Sequence, residues 1–187
     1  MHTIVYDVDD CLLDTNGYVC DKLGLDIRSF REWGLANLPE RDAVLDFYSK
    51  EEIYTNSKIY KGVRDIKRIP WDVILHTSCA NKACGDAKKN RLESLGFKSR
   101  NIVLDFNRHK EMLDCIVQVE DCYENLIRSK ALYKVLITKP WNERFNIGIK
   151  DRTYRVFSLS EANQKIKEIL YMHYFDVDKN LLHKGII

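Results

Sequence analysis

The chain has 187 residues, 45% hydrophobic and 31% charged, with a formal net charge of +2, enough for one globular domain with a sizeable core and a small insertion. The near-neutral balance supplies no strongly basic footprint for nucleic acid, although it excludes neither a nucleotide nor a polynucleotide. No apolar run approaches the ~20 residues of a membrane span.

The first predicted strand covers His2 to Val8, a β-branched and aromatic run that carries Asp7 and is followed by Asp9. A period of two puts these carboxylates on one side of an extended chain. Two carboxylates at the C-terminal end of a buried parallel strand suit a hard divalent cation and a phosphate group. One can act as nucleophile while its neighbour handles the proton. An acidic turn after a strand is the plainer alternative.

Residues 14–60 change character. Val19, Leu23 and Leu25 form one apolar stripe, Ile27, Phe30 and Trp33 to Leu35 a second, and Ala43, Val44, Phe47 and Tyr48 a third. The spacings are helical, so this stretch reads as a small helical insertion after strand one. Residues 62–69 read as a helix stopped by Pro70. Trp71 to Ser78 is a buried strand that ends in hydroxyls, and Ala83 to Leu95 a helix closed by Gly96. Further strands are predicted at 101–104, 115–119, 133–138 and 153–157, the one at 115–119 running into Glu120-Asp121. Helices are predicted at 124–131 and from an N-cap at Ser160 to about Tyr171. Residues 172–187 show no pattern.

This alternation argues a doubly wound, parallel α/β sheet. Residues 1–13 and 61–171 form its core, 14–60 the cap insertion, and 172–187 an unassigned tail. Ligands in such sheets bind beyond the C-terminal strand ends, where Asp7 and Asp9, Thr77 and Ser78, and Glu120 and Asp121 all fall. The N-terminus enters its first strand almost at once, leaving no signal peptide. None of the six cysteines (11, 20, 79, 84, 115 and 122) falls in a CxxC pair, so they are expected as reduced thiols in a cytoplasm, with Cys115 and Cys122 as small core residues.

Taken in order, Asp7-Val8-Asp9, Thr77 at a strand end, a downstream lysine and Glu120-Asp121 resemble the four motifs of the haloacid dehalogenase (HAD) superfamily. Within it the chain most resembles the 5′(3′)-deoxyribonucleotidase type. Thr77-Ser78 followed by Lys88, the second lysine Lys110, and Lys139-Pro140-Trp141-Asn142-Glu143-Arg144 carry that likeness. It implies a HAD-like core with a small cap, and a magnesium-dependent phosphomonoester hydrolase acting through an aspartyl-phosphate. Asp7 is then the nucleophile and Asp9 the general acid/base. Thr77, Ser78 and Lys88 or Lys110 bind phosphate. Asp7, Asp9, Asp121 and Glu120 hold Mg2+. The implied substrate is a small (deoxy)nucleoside monophosphate, with Phe30, Trp33 and Tyr54 as candidates to stack on its base. Three positions depart from the pattern. Asp10 stands where many relatives have glycine, Cys11 where many have threonine or valine, and Glu120 where aspartate is commoner.

Each motif residue also has a plainer reading. Thr77 and Ser78 could cap the following helix, Lys88 and Lys89 could be a solvated face, Lys110 a loop charge and Glu120-Asp121 a turn. A polynucleotide 3′-phosphatase using Lys82, Lys88, Lys89, Arg91, Lys98 and Arg100 as a strand track is an alternative function. So is a non-catalytic module that binds metal or nucleotide in the same cleft.

Overall fold

The structure, a computed structural model, describes residues 3–33, 35, 38–107, 113–147 and 152–183. Strand β1 (Thr3–Tyr6) is buried along its whole length. A short strand β2 (Leu13–Asp14) leads into helices α1 (Thr15–Leu23), α2 (Arg41–Tyr48) and α3 (Glu51–Asn56), after which β3 (Lys58–Ile59) pairs antiparallel with β2. The helical insertion thus leaves and rejoins the core through a two-stranded ribbon. Helix α4 (Val63–Ile66), β4 (Asp72–Ser78), α5 (Lys82–Ser94), β5 (Ile102–Asp105), β6 (Val117–Glu120), α6 (Tyr123–Arg128), β7 (Tyr133–Ile137), β8 (Thr153–Val156) and α7 (Leu159–His183) follow.

Six strands form one parallel sheet in the order β5-β4-β1-β6-β7-β8. The fold is therefore the α/β class that the alternating pattern predicts. Ile4 lies between Val73 of β4 and Val117 of β6. Ile4, Tyr6, Leu75, Val117, Val119, Val135 and Ile137 pack with Ile66 of α4 and with Ile166 and Ile169 of α7 in the main core. Tyr6 donates its hydroxyl to Asn163 Oδ1 at 2.8 Å, and Asn163 Nδ2 donates to Gly62 O at 2.9 Å, so the helical layer is also tied to the central strand by polar contacts. Gly62 has φ 104°, and a Cβ there would lie 3.0 Å from Ser160 Oγ. Both facts restrict the position to glycine.

A second apolar cluster fills the insertion. Val19, Phe30, Val44, Ile53 and Tyr54 pack there against Cys84 and Ala87 of α5 and against Trp141. The insertion therefore shares its core with a helix of the main domain.

Several boundaries differ from the sequence expectation. The helix expected over 62–69 is a single turn, after which the chain tightens into three-residue turns, Arg68 N donating to Asp65 O at 3.0 Å and Ile69 N to Ile66 O at 3.1 Å, and Ile69 is buried in the core. Gly96 does close α5 region in a left-handed conformation, φ 86°. Ser158, not Ser160, caps α7: its Oγ accepts from Glu161 N at 3.2 Å, while the Glu161 carboxylate accepts from Phe157 N at 2.9 Å. Two groups that reach across the first turn set the start earlier than a lone serine. The same helix continues to His183, through residues that carry no legible pattern. Cys122 is buried, but Cys115 is only half-buried. No helix among the described residues is long and apolar enough to cross a membrane.

Candidate active site

The site begins where β1 stops pairing. Asp7 N still donates to Val119 O at 3.0 Å, and the next amide, Val8 N, donates to Asp7 Oδ1 at 2.7 Å. The chain then folds back on itself: Leu12 N and Leu13 N donate to Val8 O at 2.8 and 3.0 Å, and Asp10 N to Leu13 O at 2.7 Å. This tight loop puts Asp7 and Asp9 on the wall of one cavity. Asp10 points elsewhere. Its carboxylate accepts from Thr15 Oγ1 and Asn16 N, both at 3.0 Å, and so holds the start of α1. Burial pushes its carboxyl up to about 7, against the pull of Lys139.

Strand β4 runs alongside and ends in Thr77 and Ser78. Neither caps the helix that follows. Asn81 does, its Oδ1 accepting from Cys84 N at 2.8 Å, so both hydroxyl residues stay at the strand end. Two turns into α5, Lys88 reaches back over that end. Its Nζ donates to Asp9 Oδ2 at 2.5 Å, Thr77 Oγ1 at 2.9 Å and Ser78 O at 2.5 Å. The lysine is 1% exposed. It is a buried charge held by a carboxylate and two neutral oxygens, not a solvated helix face. Lys110 lies outside the described residues.

Just past strand β6 stands Asp121, buried and outside the cavity lining. Donor atoms of Asp7, Cys11 and Asp121 lie within 4.8 Å of one another. Asp121 Oδ2 accepts from Trp141 Nε1 at 2.9 Å, and Cys11 Sγ lies 3.7 Å from Asp121 Oδ1. Burial pushes the Asp121 carboxyl well up, and Asp7, Asp10 and Glu120 add to the shift while Lys139 opposes it. So much buried negative charge fits a cation, and two carboxylates in reach suit a hard one that keeps several waters. The thiol is the unexpected donor in this group. Glu120, nominated from sequence, is not part of it; it is buried, and its Oε1 accepts from Gln118 Nε2 at 3.4 Å.

The cavity has a volume of about 240 Å3. Asp7, Asp9, Ser78 and Lys88 form its polar end, and Trp33, Tyr48 and Trp141 stand along its walls. Trp33 is 42% exposed, and its ring centroid lies 6.4 Å from that of Trp141. Tyr54 also lines the cavity, with its ring against the Lys88 ammonium. Phe30 is different: it is fully buried in the core of the insertion and lines no part of the cavity. An aromatic stripe in a short helical segment supplies its own core first.

Sequence reasoning passed over the support behind Asp121. Asn142 Nδ2 donates to Asp121 O at 2.7 Å and to Ile137 O at 2.8 Å, and Asn142 Oδ1 accepts from Lys139 N at 3.1 Å and Arg155 at 3.0 Å. Asn142 was visible as part of a loop motif. Arg155, on β8, had no local signal at all.

No family model and no curated protein matches the chain. Solved structures do. A haloacid dehalogenase-like hydrolase from Burkholderia xenovorans superposes with TM-score 0.53 at 12% identity, over 91% of this chain and 99% of that one. A phosphoserine phosphohydrolase-like protein from Francisella tularensis gives 0.53 at 13%, over 89% and 100%. A HAD-hydrolase from Bacillus subtilis bound to magnesium gives 0.50 at 13%, over 89% and 98%. At these identities the likeness is one of fold: the chain has the architecture of HAD hydrolases. None of these three is described as a nucleotidase.

Proposed function

We propose that the protein is a magnesium-dependent phosphomonoester hydrolase working through Asp7, with a nucleoside monophosphate, preferably a deoxyribonucleotide, as substrate. The observation that carries this reading is the convergence of Asp7, Asp9 and Lys88 at one end of a single cavity, with the Lys88 ammonium 2.5 Å from Asp9 Oδ2. A phosphatase needs a nucleophile, a proton carrier and fixed positive charge within reach of one phosphorus, and these three side chains supply them.

In this mechanism an Asp7 carboxylate oxygen attacks phosphorus, and an acyl-phosphate bond forms as the ester P–O bond breaks. Asp9, protonated, gives its proton to the departing alkoxide. Asp9 then takes a proton from water as that water attacks phosphorus, releasing inorganic phosphate and restoring the Asp7 carboxylate. General acid–base help of this kind is worth ~10²–10⁴-fold. The Lys88 ammonium and the Ser78 hydroxyl offset charge on the phosphoryl oxygens, while Thr77, fully buried, fixes Lys88. Asp7 and Asp121 would hold Mg2+, with Asp9 contributing its carbonyl and Glu120 supporting the group from β6. When bound, the cation supplies Lewis-acid polarisation of the phosphoryl group and shields Asp7 from the substrate's charge.

The substrate reading rests on the cavity walls. At about 240 Å3 the space lies just below the usual range of ligand pockets, which favours a small substrate. The ring of Trp33, 42% exposed on the cavity wall, offers a flat face to a base.

The test is hydrolysis of a panel in the presence and absence of Mg2+: deoxynucleoside and nucleoside monophosphates, sugar phosphates, an aryl phosphate and a 3′-phosphorylated oligonucleotide. Release of phosphate from the mononucleotides, lost without Mg2+, is the expected result. Turnover of the oligonucleotide alone would overturn the substrate assignment. Asp7→Asn keeps an oxygen for the Val8 amide, so it should fold normally and show no turnover; retained activity in that variant would sink the mechanism.

A further inference from the structure

Tyr54 has a second role open to it besides the stacking on substrate expected from sequence. Three oxygens take hydrogen bonds from Lys88 Nζ: Asp9 Oδ2, Thr77 Oγ1 and Ser78 O. An ammonium has three N–H donors, so these partners use all of them. The ammonium also lies against the ring of Tyr54, whose centroid is 4.4 Å from Nζ. The ring is itself held. Its hydroxyl donates to Tyr48 O at 2.8 Å, and the residue is 1% exposed. Tyr54 sits on α3, which packs along α5, the helix that carries Lys88.

We infer that Tyr54 is a positioning residue: its ring holds the Lys88 ammonium against Asp9, so the insertion completes the seat of a lysine that the main domain supplies. A lysine on a four-carbon stem has many rotamers to lose. Three hydrogen bonds fix where its nitrogen sits only while the stem stays on one course. A π face at 4.4 Å closes the open side, attracts the charge electrostatically and excludes water from it. Burial in the core of the insertion keeps the face turned toward the lysine. Leucine in this position would fill much of the space and attract no charge.

The inference rests on the phosphatase reading for its kinetic consequence but not for its geometry, so the test has an arm for each. Tyr54→Phe keeps the ring, and Tyr54→Leu removes it; Tyr54→Met replaces the leucine variant if that fails to fold. In full-length protein each is compared with the wild type for kcat and KM on an aryl phosphate with Mg2+. Each is also compared for acylation of Lys88 by acetic anhydride, mapped by peptide mass against the exposed Lys82. Loss of the ring should lower kcat by about tenfold, the scale of a desolvated cation–π contact, with KM within about twofold. Phenylalanine should restore kcat. Lys88 should be acylated about tenfold faster in the leucine variant and at the wild-type rate in the phenylalanine variant. A leucine variant with raised KM and unchanged kcat would make Tyr54 a substrate contact and overturn the inference. So would unchanged Lys88 acylation, or a phenylalanine variant that behaves like leucine. If the wild type hydrolyses no phosphomonoester, the proposed function fails, while the acylation rates still decide the role of Tyr54.

Discussion

At Asp10 the backbone sits at φ 54°, a left-handed conformation that glycine adopts freely and Asp or Asn tolerates better than other residues. The resemblance flags this position as one where many relatives have glycine. Either aspartate or glycine can answer this backbone demand of the loop after β1. Aspartate adds something glycine lacks, two hydrogen bonds to Thr15 and Asn16 at the start of α1. Asp10→Gly should therefore keep the loop and lose those bonds, at a cost of about 1–3 kcal/mol. Asp10→Val should lose the same bonds and add about 1–2 kcal/mol of left-handed strain. Urea unfolding of the three proteins should rank them wild type, glycine, valine; valine equal to glycine would show that the loop relaxes out of the left-handed region. Asp7 was legible as a carboxylate at the end of a strand run, whereas Asp9 reaches the same cavity through the tight loop after β1. The dihedral of Asp10 was not, since nothing local distinguishes a left-handed aspartate from an ordinary turn aspartate.

At the level of elements, the strands were the readable part. Each is a short apolar run bounded by turn residues, and burial of a parallel sheet on both faces imposes that pattern. Helix ends were read less well: Ser158 caps α7 because Glu161 reaches back to Phe157, a contact across one turn that a single good capping residue does not reveal. The loop after β7 shows the limit most clearly. Asn142 is fully buried and joins Asp121, Ile137, Lys139 and Arg155 from three stretches of chain. Ile137 and Lys139 lie in the same stretch, but Asp121 and Arg155 become its neighbours only once β6, β7 and β8 have paired, so no short window of sequence contains the whole set. Removing that amide takes a donor from two buried carbonyls and one of several acceptors from Arg155, which keeps Thr138 Oγ1, Asn142 O and Phe145 O. Asn142→Ala should cost about 2–4 kcal/mol, read as a lower midpoint in urea. Asn142→Asp should not rescue it, because a carboxylate cannot donate to the Asp121 and Ile137 carbonyls. Catalysis should fall in both, since the neighbouring Trp141 indole orients the Asp121 carboxylate. An alanine variant as stable as wild type would show that water replaces the amide.

Over the whole molecule, the insertion meets the main domain at several places. The β2–β3 ribbon carries it, Lys139 Nζ donates to Tyr60 OH and Tyr60 OH to Asp14 Oδ1 at its root, and α3 lies on α5. Sequence placed the insertion by its change of pattern but could not show these contacts, which are all between residues far apart in the chain. At the cavity mouth a further pair, Arg144 and Glu32, lies 3.0 Å apart beside Trp33 and Trp141. The two side chains are 54% and 37% exposed, and such pairs are worth only ~0–1 kcal/mol to stability. Acting on an anionic substrate at the cavity instead, a change of ~1 kcal/mol is about fivefold in affinity. Arg144→Glu places two like charges across the mouth. It should leave the unfolding midpoint nearly unchanged and raise KM for the mononucleotide about fivefold, with the difference shrinking as salt is added. The charge-swapped double variant, Glu32→Arg with Arg144→Glu, should bring KM back toward the wild-type value. If the double variant instead shows the product of the two single effects, the residues do not act on each other, and the mouth is set by the tryptophans alone.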